Sequence, residues 1–372
     1  MYESIRIQNF RGLKDLTIEN LGRVNLLVGA NNVGKTSVLE ALRLLHIDHN
    51  PTEMVRMMSM RGLNPRQVTP SIAVAGFYYG VDDTSSAIIS GLLVSGRTRT
   101  LVLEGSFEVA DTEGRRIVDK SEVTFTQRGE DGGQDSYSIT MVKHVDDSST
   151  KDEPKIRRVT VALDEWTADA FDWPSFSRIT GTPAVMLYAV QRLSASEVAL
   201  RFTRVQDRMG SSFIAEALRA FDSTVEELYL GLDRITDSFN QPALRVRVQQ
   251  QPNPIPLYLL GGGGGRLIEL LVSIPLAEGG LVFVDELENG IYYQNLPEVW
   301  RAVDVISRRS KAQLFITTHS LECAEAAVRA FDGEYAGDFR LHRLARRDDE
   351  IRVTTYDHEA AEATLNVGVE FR

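Results

Sequence analysis

Residues 29–36 read "GANNVGKT". The stretch fits the pattern G-x-x-x-x-G-K-[ST] without a gap, the chemistry of a loop wrapped around phosphate oxygens. Gly29 and Gly34 let the backbone curl so that successive N–H groups point inward. Asn31 and Asn32 lie within the curl and Ser37 just follows it. Lys35 is suited to neutralise the β and γ phosphates of a nucleoside triphosphate, and the Thr36 hydroxyl to ligand Mg²⁺. An apolar strand, ending "VNLLVG", leads into the loop. "VLEALRLLH" leads out, with Val38, Leu42 and Leu45 on one helical face. A strand, a phosphate loop and a helix offering its positive end form one unit. The expected ligands are ATP and Mg²⁺.

The C-terminal part of the chain alternates helix and strand. Helix "RLIELLVSIPLA" precedes strand "GLVFVDE". Helix "LPEVWRAVDVISRRS" precedes strand "AQLFITTHS". Helix "LECAEAAVRAF" and strands "FRLHRLAR" and "EIRVTTYD" complete the run. Such alternation implies an α/β fold with a mainly parallel sheet. Ligands of these sheets bind at the C-terminal ends of the strands. Asp285 and Glu286 end one strand: Asp285 is suited to hold the metal, Glu286 to orient or deprotonate an attacking water. Thr317, Thr318, His319 and Ser320 end another, and the His319 imidazole can hydrogen-bond a γ-phosphate. Alone, two adjacent acids can equally be a solvent-facing strand end, and a histidine a structural one. The phosphate loop is what gives them a common purpose. His319 and Cys323 stand four apart, but zinc sites want three or four protein ligands. With Cys323 the only cysteine, an intrachain disulfide and a CxxC metal site are both excluded.

The middle of the chain reads differently. From about residue 71 to 162, "SIAVAGFYYGV", "RTLVLEGSFEVAD", "EVTFTQR", "SYSITMVKHV" and "RRVTVAL" are β-rich and separated by Gly, Asp and Ser clusters, the pattern of an antiparallel meander. Residues 144–156 are the most linker-like. "PAVMLYAV" reads as a buried strand. "SASEVALRFTRVQDRMGSSFIAEALRAF" and "TVEELYLGLDRI" read as helices, the first opened by a capping box of Ser194 and Glu197. No heptad pattern persists, so a long coiled coil is not expected. Five consecutive glycines, Gly261 to Gly265, precede Arg266. A flexible linker would be flanked by polar residues, whereas Leu259 and Leu260 precede this run and "LIELL" follows it.

The bulk properties set outer limits. The 372 residues carry a formal net charge of −11, which argues against a surface that grips DNA throughout but leaves room for a local basic groove. No apolar run is long enough to span a bilayer, and "MYESIRIQNF" has no leader pattern. A cytoplasmic protein with no membrane partner is expected.

"IQNFRGLKDL", "GANNVGKTS", "VDELENG", "FITTHSLECAEAA" and the closing "GVEFR" together resemble the AAA15 family, stand-alone ABC-type ATPases related to the OLD, RecF and Rad50/SMC heads. The resemblance covers roughly residues 1–47 and 255–372. It implies an ABC-type P-loop head with a mixed, mainly parallel sheet, an antiparallel β subdomain and a helical lobe. The expected division is an ATPase core of residues 1–70 and 255–372, a β-rich region 71–180, and a helical lobe 181–254. It further implies that Arg11 lies near the nucleotide, that Glu288 and Asn289 approach a dimer partner, and that Gln191 watches the metal and attacking water. Tyr292 stands where many relatives have histidine. The glycine run becomes a signature-like loop ahead of a helix, with Gly261, Gly263 and Arg266 directed at the ATP of the opposite subunit. The implied assembly is a head-to-tail homodimer, or a higher homo-oligomer, in which Glu286 places the attacking water. Such ATPases often serve prokaryotic anti-phage defence or toxin-like systems with a separate effector, frequently a nuclease, triggered by DNA or a phage protein. No nuclease activity of the chain's own is expected. Two other readings stay open: a RecF-type DNA-repair clamp, and a non-hydrolysing ATP-bound scaffold.

Overall fold

The computed structural model of the chain describes residues 1–46, 57–62, 76–81, 86–103, 138–146, 155–162, 183–189, 191–210, 212–236, 239–257, 262–348, 350–367 and 371. The expected strand "EVTFTQR", Gly261 and the centre of the linker-like segment lie outside the described residues. Among the described residues, three sheets hold the strands. The first joins β1 (Tyr2–Phe10), β2 (Leu13–Ile18), β4 (Ala87–Leu93), β5 (Thr98–Leu103), β6 (Ser138–Asp146) and β7 (Lys155–Ala162) in the order β2-β1-β4-β5-β6-β7. Every pairing in it is antiparallel. The expected meander is therefore present, and it extends the hairpin at the N-terminus. "SIAVAGFYYGV" is not a strand over its described part. Tyr78 makes a single bridge to Phe10, and a short 3₁₀ turn spans Tyr79–Val81.

The central sheet joins β3 (Val24–Val28), β8 (Ala184–Leu187), β12 (Leu281–Val284), β13 (Gln313–Thr317), β14 (Phe339–Arg347) and β15 (Glu350–Tyr356), in the order β15-β14-β3-β13-β12-β8. All its pairings are parallel except that of β14 with β15. β3, β8, β12 and β13 are buried on both faces, as their unbroken apolar runs require of parallel strands. Side chains alternate between two cores. Leu27, Phe283 and Phe315 face one; Leu26, Val284 and Leu314 face the other.

The first core is closed by the helix after the phosphate loop, α1 (Lys35–His46), packed between the two six-stranded sheets through Val38, Leu42 and Leu45. Gln313 ties the sheets together: its Nε2 donates to the Tyr2 carbonyl at 2.8 Å, and its Oε1 accepts from the Tyr2 N–H at 2.7 Å. The second core receives α2 (Ala195–Met209), α3 (Ser212–Phe221), α4 (Gly262–Ser273), α5 (Leu296–Ser310) and α6 (Leu321–Ala330), with α7 (His358–Asn366) at its edge. Trp300 and Phe331 are fully buried there, and burying a side chain of this size stabilises the fold by about 2–3 kcal/mol. α2 opens with the expected capping box: Ser194 accepts from the Glu197 N–H, and Glu197 accepts from the Ser194 N–H.

Two expectations are corrected here. "TVEELYLGLDRI" is a strand, β9 (Val225–Thr236), paired antiparallel with β10 (Phe239–Val248), which also pairs β11 (Ile255–Pro256). The region 181–254 thus combines helices with this hairpin. The glycine run, read as a loop ahead of a helix, lies from Gly262 onward in the first turn of α4 itself.

Candidate nucleotide site

The parallel strands bring their C-terminal ends to one edge, and a cleft of about 640 Å³ opens there, a size that suits a small ligand. The loop 29–36 forms one wall. Gly29 has φ 138° and Gly34 φ 98°. A Cβ at Gly29 would stand 2.3 Å from the Leu344 carbonyl oxygen, so β14 passes too close for any other residue. Asn32, at φ 61°, takes the left-handed conformation that asparagine tolerates. Asn31, Asn32, Gly34, Lys35, Thr36 and Ser37 all line the cleft. Lys35 is nearly buried, and its ammonium donates to the carbonyls of Gly29 at 2.8 Å and Ala30 at 3.0 Å. Burial pushes its pKa below the usual lysine range, partly opposed by Asp285, Glu286 and Glu288.

Across the cleft, the Thr36 hydroxyl lies 3.0 Å from Asp285 Oδ1, and the Thr317 hydroxyl donates to the same oxygen at 2.7 Å. Burial raises the Asp285 pKa, while the two hydroxyls pull it down. Glu286 follows with φ 46°; its N–H donates to Thr317 Oγ1 at 2.8 Å, and its side chain is part-exposed on the cleft. His319 stands beside the cleft, with Nδ1 3.2 Å from Glu288 Oε1 and 3.6 Å from Glu286 Oε1. Its backbone N–H also donates to Glu288 at 3.0 Å. Cys323 is fully buried whereas His319 is half exposed, so the two form no shared metal site.

Arg11 lines the same cleft at φ 52°. Its guanidinium lies 4.5 Å from the Phe77 ring centre and reaches Glu40 at 2.9 Å. Burial lowers its pKa to about 10. Glu40, on α1 and almost wholly buried, also takes a two-pronged hydrogen bond from Arg61 at 2.8 and 3.0 Å. Arg61 and Thr317 also line the cleft, and no motif gives either a role there. The run "MRGL" carries no spacing signal, and Thr317 is legible only as the polar end of an apolar strand.

Two expected site residues fall elsewhere. Gln191 is exposed and is not part of the cleft lining. Arg266 is fully buried behind the site and points inward. It donates to the carbonyls of Asp285 at 3.0 Å and Tyr188 at 3.3 Å, and pairs with Glu269 at 3.2 Å. Its long side chain crosses beneath the strand ends, so it is not directed at a partner's nucleotide. Gly263 stays near the surface; an added Cβ would meet Gly290 and Ile291 at 3.7 Å. The N-terminus of α4 therefore lies beside the segment after Asp285 and Glu286. Thr36 and Asp285 offer oxygen ligands of the kind a hard cation such as Mg²⁺ takes. Among the described residues no three His, Cys, Asp or Glu side chains gather as a metal site.

A G-x-x-x-x-G-K-T loop at the C-terminal edge of a parallel sheet is the arrangement of a P-loop nucleotide site. The family described as "AAA ATPase domain" matches residues 1–78, and that described as "AAA domain, putative AbiEii toxin, Type IV TA system" matches residues 188–324. An "ATP/GTP phosphatase" of Helicobacter pylori is 19% identical over 97% of both chains. The "DNA replication and repair protein RecF" of Clostridioides difficile is 40% identical over 15% of this chain and 17% of its own. Among solved structures, an SMC head bound to the C-terminal winged-helix domain of ScpA superposes with TM-score 0.50 at 12% identity, covering 97% of this chain and 99% of that one. Two stretches of the chain thus match AAA-domain families, and its fold is that of an SMC head. No described helix is long and apolar enough to cross a membrane.

Proposed function

We propose that two copies of the chain close head to tail around two ATP molecules, hydrolyse them, and couple that cycle to a separate effector. The observation that carries the hydrolytic part is the convergence of Lys35, Thr36, Asp285, Glu286 and Thr317 on one cleft. The loop N–H groups and Lys35 hold the phosphates. Thr36 and Asp285 would hold Mg²⁺, which supplies charge neutralisation across the β and γ phosphates when bound. Glu286 orients a water in line with the γ-phosphate and accepts its proton, and His319 hydrogen-bonds the transferring group. Gly263 and its neighbours supply the helix end that meets the partner's nucleotide. Glycine is weak in a helix by about 1 kcal/mol per residue relative to alanine, so four at one helix start favour a role in close approach over one in stability.

The resemblance to a putative toxin of a type IV toxin–antitoxin system supports a defence or toxin-like role, with a nuclease or similar effector encoded separately. The region 71–180 and the lobe 181–254 are then the places where trigger and effector are chosen. The local match to a RecF protein supports a second reading, a DNA clamp, whose binding would weaken steeply with salt. Light scattering on the Glu286→Gln chain tests the assembly. ATP with Mg²⁺ should convert monomer to dimer, and a monomer at saturating ATP contradicts the head-to-tail reading.

A further inference from the structure

The peptide joining Asp285 to Glu286 is gripped at both ends. Its carbonyl oxygen accepts from Arg266 Nη2 at 3.0 Å, and its N–H donates to Thr317 Oγ1 at 2.8 Å. The plane of that peptide fixes where Glu286 begins, and Glu286 sits at φ 46°, a backbone state that residues with a Cβ hold only when their surroundings impose it. Arg266 does more than cap one carbonyl. Its Nη1 reaches the Tyr188 carbonyl at 3.3 Å, just beyond the end of the neighbouring strand β8, so one planar fork spans two strand ends. Glu269 balances its charge at 3.2 Å and also accepts from the Leu193 N–H at 3.0 Å. A fully buried cation is costly unless it is paired and hydrogen-bonded, and an apolar side chain would fill this place without that demand.

Arg266 is the fifth residue of α4, directly after the glycines. We infer that Arg266 is a positioning residue for hydrolysis: it sets the aim of Glu286 and ties that aim to the position of the glycine end of α4. The inference rests on the reading of Glu286 as the group that places the attacking water. A movement of α4 when its glycine end meets a partner is passed through the guanidinium to the Asp285–Glu286 peptide, and so to that subunit's own hydrolysis.

The test compares the full chain with Arg266→Lys, Arg266→Met, Glu286→Gln and the double variant Arg266→Lys/Glu286→Gln, measuring phosphate release, affinity for a fluorescent ATP analogue (mant-ATP) and thermal unfolding. Lysine keeps the charge but not the planar fork. Arg266→Lys should lower kcat at least about 10-fold while mant-ATP affinity stays within about twofold, and in the Glu286→Gln background it should change the residual rate by less than about twofold. Arg266→Met should behave alike; if it does not fold, the lysine variant carries the test. A kcat for Arg266→Lys close to wild type, a loss that multiplies fully with Glu286→Gln, or a parallel fall in affinity and melting temperature each overturns the inference. Wild-type chain that binds mant-ATP yet releases no phosphate removes the hydrolytic reading itself, which sets that failure apart from the others.

Discussion

Lys35 and Glu286 face one cleft, and the proposed function gives them different work that substitution separates. If Lys35 meets the β and γ phosphates as proposed, Lys35→Ala should lower mant-ATP affinity at least about 10-fold. Glu286→Gln keeps the shape and the Thr317 hydrogen bond, so mant-ATP affinity should stay within about twofold of wild type. Equal affinities for the two variants would contradict this division of roles. Glu40 carries a structural prediction. It is the shared carboxylate of Arg11 and Arg61, and Glu40→Gln leaves two cations around a neutral amide. A loss of about 3 kcal/mol in denaturant unfolding is expected, and an unchanged midpoint would argue that the arginines find other partners. At this scale the sequence revealed what is contiguous: the phosphate loop, the acid pair after β12 and His319 could be read from pattern and strand position. Thr317's grip on Asp285, and the trio of Arg11, Glu40 and Arg61, could not, because residues remote in the chain meet only once the sheets pack.

At the scale of elements, the long helices and buried strands followed from periodicity, and two segments did not. In "VEELYLGLDRIT" the residues Val225, Leu228, Tyr229 and Leu232 fit a helix, while Leu228, Leu230 and Leu232 fit a strand. Pairing with β10 along nearly the whole length decides for the strand. The glycine run looked like a loop because glycine is a poor helix former, yet α4 begins within it. Helix formation there is supported by the buried face that follows, Leu267, Ile268, Leu270 and Leu271. A Cβ at Gly265 would meet nothing within 4 Å. Gly265→Ala should therefore raise the unfolding free energy by about 0.5–1 kcal/mol, seen as a higher melting temperature. A lower one would mean that the helix start is strained in a way its backbone does not reveal.

Over the whole molecule, the alternation of helix and strand at the C-terminal end was enough to foresee a parallel sheet with its ligand edge. The sequence did not reveal that β1 and β2 share a sheet with β4 to β7, because strand pairing over such separations leaves no local pattern. One acid-sensitive joint holds the central sheet. His342 on β14 is buried, with Nδ1 3.0 Å from the Thr355 hydroxyl and Nε2 3.2 Å from Asn25 Oδ1. Burial lowers its pKa from 6.5 to about 3. The unfolded chain thus takes up a proton that the folded chain refuses, so this residue's contribution is intact above about pH 6.5 and is lost as pH falls toward 3, by up to about 1.4 kcal/mol per pH unit. His342→Gln should flatten that acid limb in denaturant titrations at several pH values; an unchanged slope would assign the acid sensitivity to other groups. Lys35, Thr36, Asp285 and Glu286 meet at one cleft, and hydrolysis there is decided by phosphate release from ATP and Mg²⁺ by the purified chain: the wild type should turn over, and Glu286→Gln should release phosphate at least about 100-fold more slowly. Equal rates from the two proteins, or no release by the wild type, would contradict it.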